Sequence, residues 1–126
     1  MEKRLITTGS PFEKTAGYSR AVVKGDWCFV SGTTGYDYTT MTMPEDVETQ
    51  TRNTLATIDA TLAEAGFARA DIVRAQYTVT DATFADRVFP ILGAYFDGIR
   101  PAATMVVAGL IRPEMKIEIE VTALRA

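Results

Sequence analysis

Near its C-terminus the chain reads "KIEIEV", Lys116 to Val121, which sets two carboxylates two residues apart. Side chains alternate across a β-strand, so Glu118 and Glu120 share one face while Ile117 and Ile119 share the other. If Glu120 is drawn into a cleft, desolvation raises its pKa and a neighbouring arginine lowers it, the balance that prepares a carboxylate for acid–base work. Arg20 is the arginine to consider, because "GYSRAV" places it two residues after Tyr18, on the same face of a strand. It can supply an anion-binding charge, or it can form a salt bridge with a glutamate such as Glu120. Arg100, just after Gly98, is either a second anion-binding residue or a solvated loop residue. Arg112, in the "IRPEM" turn, reads as surface.

Other groups are weaker signals. "SGTTG", Ser31 to Gly35, lacks the lysine and spacing of a Walker phosphate loop and reads instead as a glycine turn with backbone N–H groups facing a cleft. Tyr36 and Tyr38 can line that cleft or pack on a neighbouring subunit. Cys28 has no activating partner in the sequence and reads as core with Trp27, Phe29 and Val30. The chain contains no histidine, which removes Ser–His and Cys–His catalysis and every imidazole metal site. No metal-ligand cluster is visible, and nothing asks for an organic cofactor. A single cysteine excludes an intrachain disulfide and fits a reducing cytoplasm. The net charge of −3, with lysines and arginines scattered, argues against nucleic acid as a partner. The longest apolar run, "MVVAGLI", is too short to span a bilayer, and the N-terminus has no signal-peptide pattern. The expectation is a soluble cytoplasmic protein without a membrane partner.

The elements that must position these groups follow from periodicity. At 126 residues, 47% of them hydrophobic, the chain has room for one core, so residues 1–126 read as a single domain. Arg4 to Gly9 reads as a short edge strand, followed by a polar loop through Pro11 and Gly17. Tyr18 to Val23 and Trp27 to Ser31 read as strands joined at Lys24-Gly25-Asp26. Pro44, Glu45 and Asp46 suit the start of a helix whose stripe is Val47, Thr51, Leu55, Ile58 and Leu62, ending at Gly66. "IVRAQYTVT" is a strand. Thr83 and Asp86 have capping-box spacing before a second helix with Val88, Leu92, Tyr95 and Phe96 on its apolar side; Pro90 should kink or delay it. Ala103 to Val107 and Lys116 to Leu124 complete the sheet. This order predicts an α+β fold, one mixed sheet with two helices packed on one face. Ala103 to Val107 is largely apolar on both sides, which suggests cover on both faces and an oligomer interface on the face without helices.

Taken in order, "GYSRAV", "FVSGTTG", "EDVETQTRNTL", "EAGFARADIVRAQYTVTD", "RPAATMVV" and "KIEIEVTAL" resemble the Rid (YjgF-like) family of reactive-intermediate deaminases along nearly the whole chain. The resemblance implies a chorismate-mutase-like fold and a homotrimer with a small-molecule cleft between adjacent subunits. Deaminating members use a tyrosine, a Ser-Gly pair, the second glutamate of "IEIE" and an arginine that grips the substrate carboxylate. Carried over, Tyr18 and Glu120 are the candidate catalytic residues. Arg20, Ser31, Gly32, Thr33, Arg100, Ala103 and Thr104 are the candidate ligand-binding ones.

One position departs from the pattern. Where the deaminases read Pro-Ala-Arg, this chain reads "PAAT", which sets Ala103 at the arginine position. A methyl group cannot form the bidentate pair of a guanidinium with a carboxylate, worth about 1.5–3 kcal/mol per charged hydrogen bond. The resemblance therefore implies a ligand-binding cleft without the usual 2-imino acid deaminase activity. The alternatives are an imine or enamine hydrolase acting on an atypical substrate and, more remotely, an endoribonuclease, a label this family also carries.

Overall fold

The computed structural model describes residues 2–126. The strands are β1 (Lys3–Ile6), β2 (Ala21–Lys24), β3 (Trp27–Thr33), β4 (Ile72–Val79), β5 (Ala102–Val107) and β6 (Ile117–Leu124), and the helices are α1 (Pro11–Ala16), α2 (Val47–Ala65) and α3 (Ala85–Tyr95). They form one six-stranded sheet in the order β1-β2-β3-β6-β4-β5. Every neighbouring pair is antiparallel except β4 and β5, which are parallel and joined by α3. The last strand thus slots between β3 and β4, and carries "IEIE" to the centre of the sheet.

The apolar stripe of α2 forms as its spacing requires: Val47, Leu55, Ile58 and Leu62 are buried against the sheet. The helix starts later than its acidic prelude suggests. Asp46, not Pro44, precedes the first turn, and its carboxylate accepts the Thr49 N–H at 2.8 Å, an N-cap. Gly66 closes the helix with a left-handed φ of 83°, where a side chain would be strained. Buried Gln50 fixes the helix to its surroundings, donating to the carbonyls of Pro44 and Glu114 and accepting from the Lys116 N–H.

Several expectations are corrected. The polar loop holds the short helix α1, capped by the Ser10 hydroxyl at its start and Gly17 at its end. The cap before α3 is Asp81, which accepts from the Thr83 N–H and hydroxyl in a 3-10 turn, so Thr83 and Asp86 form no capping box. Pro90 lies within α3 without ending it. The carbonyl it leaves without a donor belongs to Asp86, and both residues sit on the solvent side, where water can replace the bond.

Burial also divides the sheet more sharply than its composition implies. Cys28 and Val30 face the helices and are buried, whereas Trp27 and Phe29 lie on the other face, 42% and 48% exposed, their rings stacked 5.9 Å apart. Strand β5 is an edge strand, exposed along most of both faces rather than covered. Register places Leu5, Val22, Phe29 and Thr122 in one row of this open face, and Trp27 and Leu124 in another.

Candidate functional site

Facing the open side of β6, Glu118 and Glu120 alternate with the buried Ile117, Ile119 and Val121. Opposite them β3 carries a bulge: Val30 pairs with Val121 and Thr33 with Ile119, so Ser31 and Gly32 together face the single residue Glu120. The bulge turns Gly32 toward Glu118. A Cβ built on Gly32 would lie 2.6 Å from the Glu118 carboxyl carbon, so only glycine lets the carboxylate settle there. Burial pushes the Glu118 carboxyl up from its ordinary pKa and the charge of Glu120 adds to this, while Arg20 opposes both. Glu120 is the more exposed of the two, opposite Gln76 in the ladder.

Arg20 is the most deeply buried charge, 1% exposed. One of its terminal nitrogens donates to the Gly32 carbonyl and the Thr33 hydroxyl, each at 2.8 Å, and the other to the Tyr18 hydroxyl at 3.4 Å. Its guanidinium also sits 5.7 Å from the Tyr18 ring centre and 5.5 Å from that of Tyr38. The acidic partner is Glu13, 3.7 Å from Nε, rather than Glu120. Burial pushes the Glu13 carboxyl up, but hydrogen bonds from Thr8 and Thr7 outweigh it, and the net shift is downward. Tyr18 is raised, chiefly by burial, with Arg20 pulling the other way. The Ser31 hydroxyl donates to the Ser19 carbonyl at 2.6 Å, and Thr33 is fully buried, its hydroxyl donating to the Ser31 carbonyl. These side chains hold the bulge in shape. Tyr18, at 38% exposed, and Glu120 are the parts of this wall that reach solvent most fully.

The remaining candidates lie elsewhere. Thr104 shares the open face, in the row Glu120, Gln76, Thr104, and accepts from Arg74. Ala103 pairs with the buried Ala75 and faces the helix side. There it lines a cavity of about 500 Å³ between α3 and β5, together with Arg100, Tyr77 and Met105. Within the chain the sheet separates Ala103 and Arg100 from Glu120. Among the described residues no group of three His, Cys, Asp or Glu side chains could hold a metal ion, and no helix is long and apolar enough to cross a membrane.

Two contributors, Glu13 and Tyr77, escape the sequence reading, and a third, Glu118, is visible there but not separable from Glu120. Glu13 stands in "SPFEKTAG", where Ser10, Pro11 and Gly17 were the cap signals of a short helix that would have brought it inward. Glu118, rather than Glu120, is the carboxylate packed on Gly32, a choice made by the bulge. Tyr77 stood in a recognised strand, but nothing in the sequence marks its ring as a cavity wall.

The matches to known proteins agree with this geometry. The family model described as Endoribonuclease L-PSP matches residues 8–125. A solved structure from Mycobacterium tuberculosis, described as a member of the YjgF/YER057c/UK114 family, is 37% identical, with a TM-score of 0.90 over 98% of this chain and all of the other. A protein of the conserved Rid family from Yersinia pestis, of unknown function, is 30% identical, with a TM-score of 0.88 over 98% of this chain and all of the other. The Escherichia coli YjgF gene product is 28% identical, with a TM-score of 0.86 over 98% of this chain and 99% of the other. A six-stranded sheet ending in a central "IEIE" strand, matched along nearly the whole chain, makes this chain a member of the YjgF/Rid family, with the α+β, chorismate-mutase-like fold.

Proposed function

We propose that the protein is a homotrimer whose inter-subunit clefts bind a small metabolite, without the usual 2-imino acid deaminase activity. The observation that carries this is the separation of the candidate residues onto two sides of one sheet. Tyr18 and Glu120 belong to the open face, whereas Ala103 and Arg100 belong to the helix side at the β5 edge. A small ligand cannot touch both in one subunit; a neighbour's β5 edge set against the Tyr18 wall would join them. The apolar open face, with Leu5, Trp27, Phe29, Val106 and Leu124 all substantially exposed, supplies a surface for such association. The methyl group of Ala103 is the reason to expect binding without the usual deamination.

Light scattering should give three times the 13.8 kDa chain mass. Hydrolysis of amino-acid-derived imines, generated in situ and followed by semicarbazide trapping, should be absent in the native protein and appear with Ala103→Arg. A monomer would sink the trimeric reading. Native hydrolysis of these imines would sink the loss of activity.

A second reading, an imine or enamine hydrolase with an atypical substrate, is favoured by the retained Tyr18 and by the two carboxylates of β6. Burial makes Glu118 hold a proton more tightly than a solvated carboxylate does, while Glu120 meets water. The endoribonuclease reading has the net charge of −3 against it.

A further inference from the structure

Helices α2 and α3 pack against each other, and between them runs an open groove of about 280 Å³. Arg52, Leu55, Ala56 and Asp59 of α2 form one wall, and Ile91 and Tyr95 of α3 form the other. The α2 residues are spaced by three and four, which sets them on one face of the helix. Arg69, from the 3-10 turn before β4, closes the end at Asp59.

That end is rigid. The Arg69 guanidinium makes a two-point pair with the Asp59 carboxylate, at 2.7 and 3.3 Å, and lies 3.9 Å from the centre of the Tyr95 ring. A third bond goes to the Tyr95 carbonyl at 3.3 Å, and the Tyr95 hydroxyl donates to Asp59 at 2.5 Å. The Tyr95 ring covers one side of the guanidinium, yet the Arg69 side chain stays 43% exposed. Its other side is thus open to a second planar ring, a partner that guanidinium groups favour.

The opposite end carries a charge without a partner. Arg52 is exposed and belongs to none of the ion pairs among the described residues. The carboxylates near it are committed: Asp46 caps α2 through Thr49, and Glu48 pairs with Arg87. Two guanidinium groups against the one carboxylate of Asp59 leave the groove lining with a charge of +1, on a chain whose net charge is −3.

Spacing then chooses among anions. Arg52 and Asp59 stand seven residues apart, about 10.5 Å along a helix. A compact aryl acid, its anion set directly on the ring, cannot reach Arg52 while stacked on Arg69. A ring and an anion joined by a spacer can, with the spacer over Leu55, Ala56 and Ile91. We infer that this groove binds a nucleoside monophosphate, its base stacked on Arg69 and its 5′-phosphate at Arg52. The ribose is the spacer, and the small side chain of Ala56 leaves it room. The inference goes beyond the cleft reading and does not depend on it, because the groove belongs to the helix layer and not to the open face of the sheet.

The test is calorimetric titration of the full chain with adenosine 5′-monophosphate, adenosine and ribose 5-phosphate. The nucleotide should bind at least about tenfold more tightly than either fragment, since one lacks the charge-assisted contact and the other the stacked ring. Arg52→Gln, a change at an exposed position that leaves the fold intact, should abolish the preference over adenosine and leave adenosine's affinity as it was. Arg69→Lys keeps a charge beside Asp59 but removes the planar surface, and should abolish the preference over ribose 5-phosphate. The inference is overturned if the nucleotide does not bind, if it binds no better than a fragment, or if either preference survives its substitution. Binding of polyadenylate without binding of the mononucleotide would overturn it too, in favour of an RNA surface.

Discussion

Two arginines face two different tasks. Arg20 is sealed behind the bulge of β3, with Gly32, Thr33 and Tyr18 taking its hydrogen bonds and Glu13 balancing its charge. Arg100 stands exposed beside an apolar cavity and is outside every ion pair among the described residues. Sequence position alone would make Arg20 the better binding residue, because it neighbours Tyr18. The structure shows why proximity misleads: a guanidinium committed to backbone and buried partners shapes a site, and one left free can meet a ligand.

The largest test of this difference is stability. Arg20→Met leaves the Gly32 carbonyl and the Thr33 hydroxyl without their donor and Glu13 buried without its counter-charge. Removing one member of a buried ion pair costs about 3–5 kcal/mol. Urea denaturation should show a loss of this size in a protein that still folds at low denaturant. A loss under about 1 kcal/mol, within the range of an exposed ion pair, would mean that Arg20 is no more structural than Arg100.

The next effect concerns the contact that the bulge creates. Gly32→Ala drives a Cβ into the Glu118 carboxylate, and because that group can swing aside the cost falls at the low end of overpacking, about 1 kcal/mol. Because the obstructing group is the end of a flexible side chain, shortening it should relieve the clash. Gly32→Ala combined with Glu118→Ala should therefore be less destabilised than the sum of the two single changes. Strict additivity in the denaturation cycle would show that Glu118 does not rest on Gly32.

These contacts also mark where the sequence was readable. The stripe of α2 and the alternation of β6 were legible because each repeats over many residues and one face of each is buried in this chain. Helix α1 has six residues and no repeating apolar face, so only its caps could have revealed it. Trp27 and Phe29 alternate with Cys28 and Val30 in a wholly apolar run, and such a run does not say whether one face or both are covered. Tyr18 and Glu120 could be named from motifs. Glu118 could not be ranked, because its burial depends on one extra residue in a different strand. The Glu13–Arg20 pair joins that short helix to the residue preceding β2, a contact no local pattern announces.

A smaller effect follows from Glu118 and depends on pH. Its folded pKa lies above its unfolded value of about 4.3, so the folded state holds the proton more tightly. The stability this residue contributes is complete below the unfolded value and is lost as pH rises through the folded one. Glu118→Gln cannot ionise and escapes that loss. Its melting temperature should gain on that of the native protein between pH 4 and pH 7. Glu13, lowered in the folded state, works with the opposite sign, its contribution fading as pH falls below about 4.3; it is common to both proteins and cancels in the difference. A constant offset between the two melting curves would show that Glu118 is not desolvated by its place against Gly32.

The smallest expected change is the most diagnostic for the comparison. Arg100→Ala removes an exposed side chain from a position whose backbone is already left-handed, and alanine meets the same backbone constraint as arginine there. With no ion pair to break, the expected change in unfolding free energy is within about 0.5 kcal/mol, the range of ordinary surface substitutions. A loss of 2 kcal/mol or more, on the order of a large-to-small change in a core, would mean that the Arg100 stem supports α3 and β5 as packing. The two arginines would then differ in degree and not in kind, and the cavity would lose its one unoccupied charge.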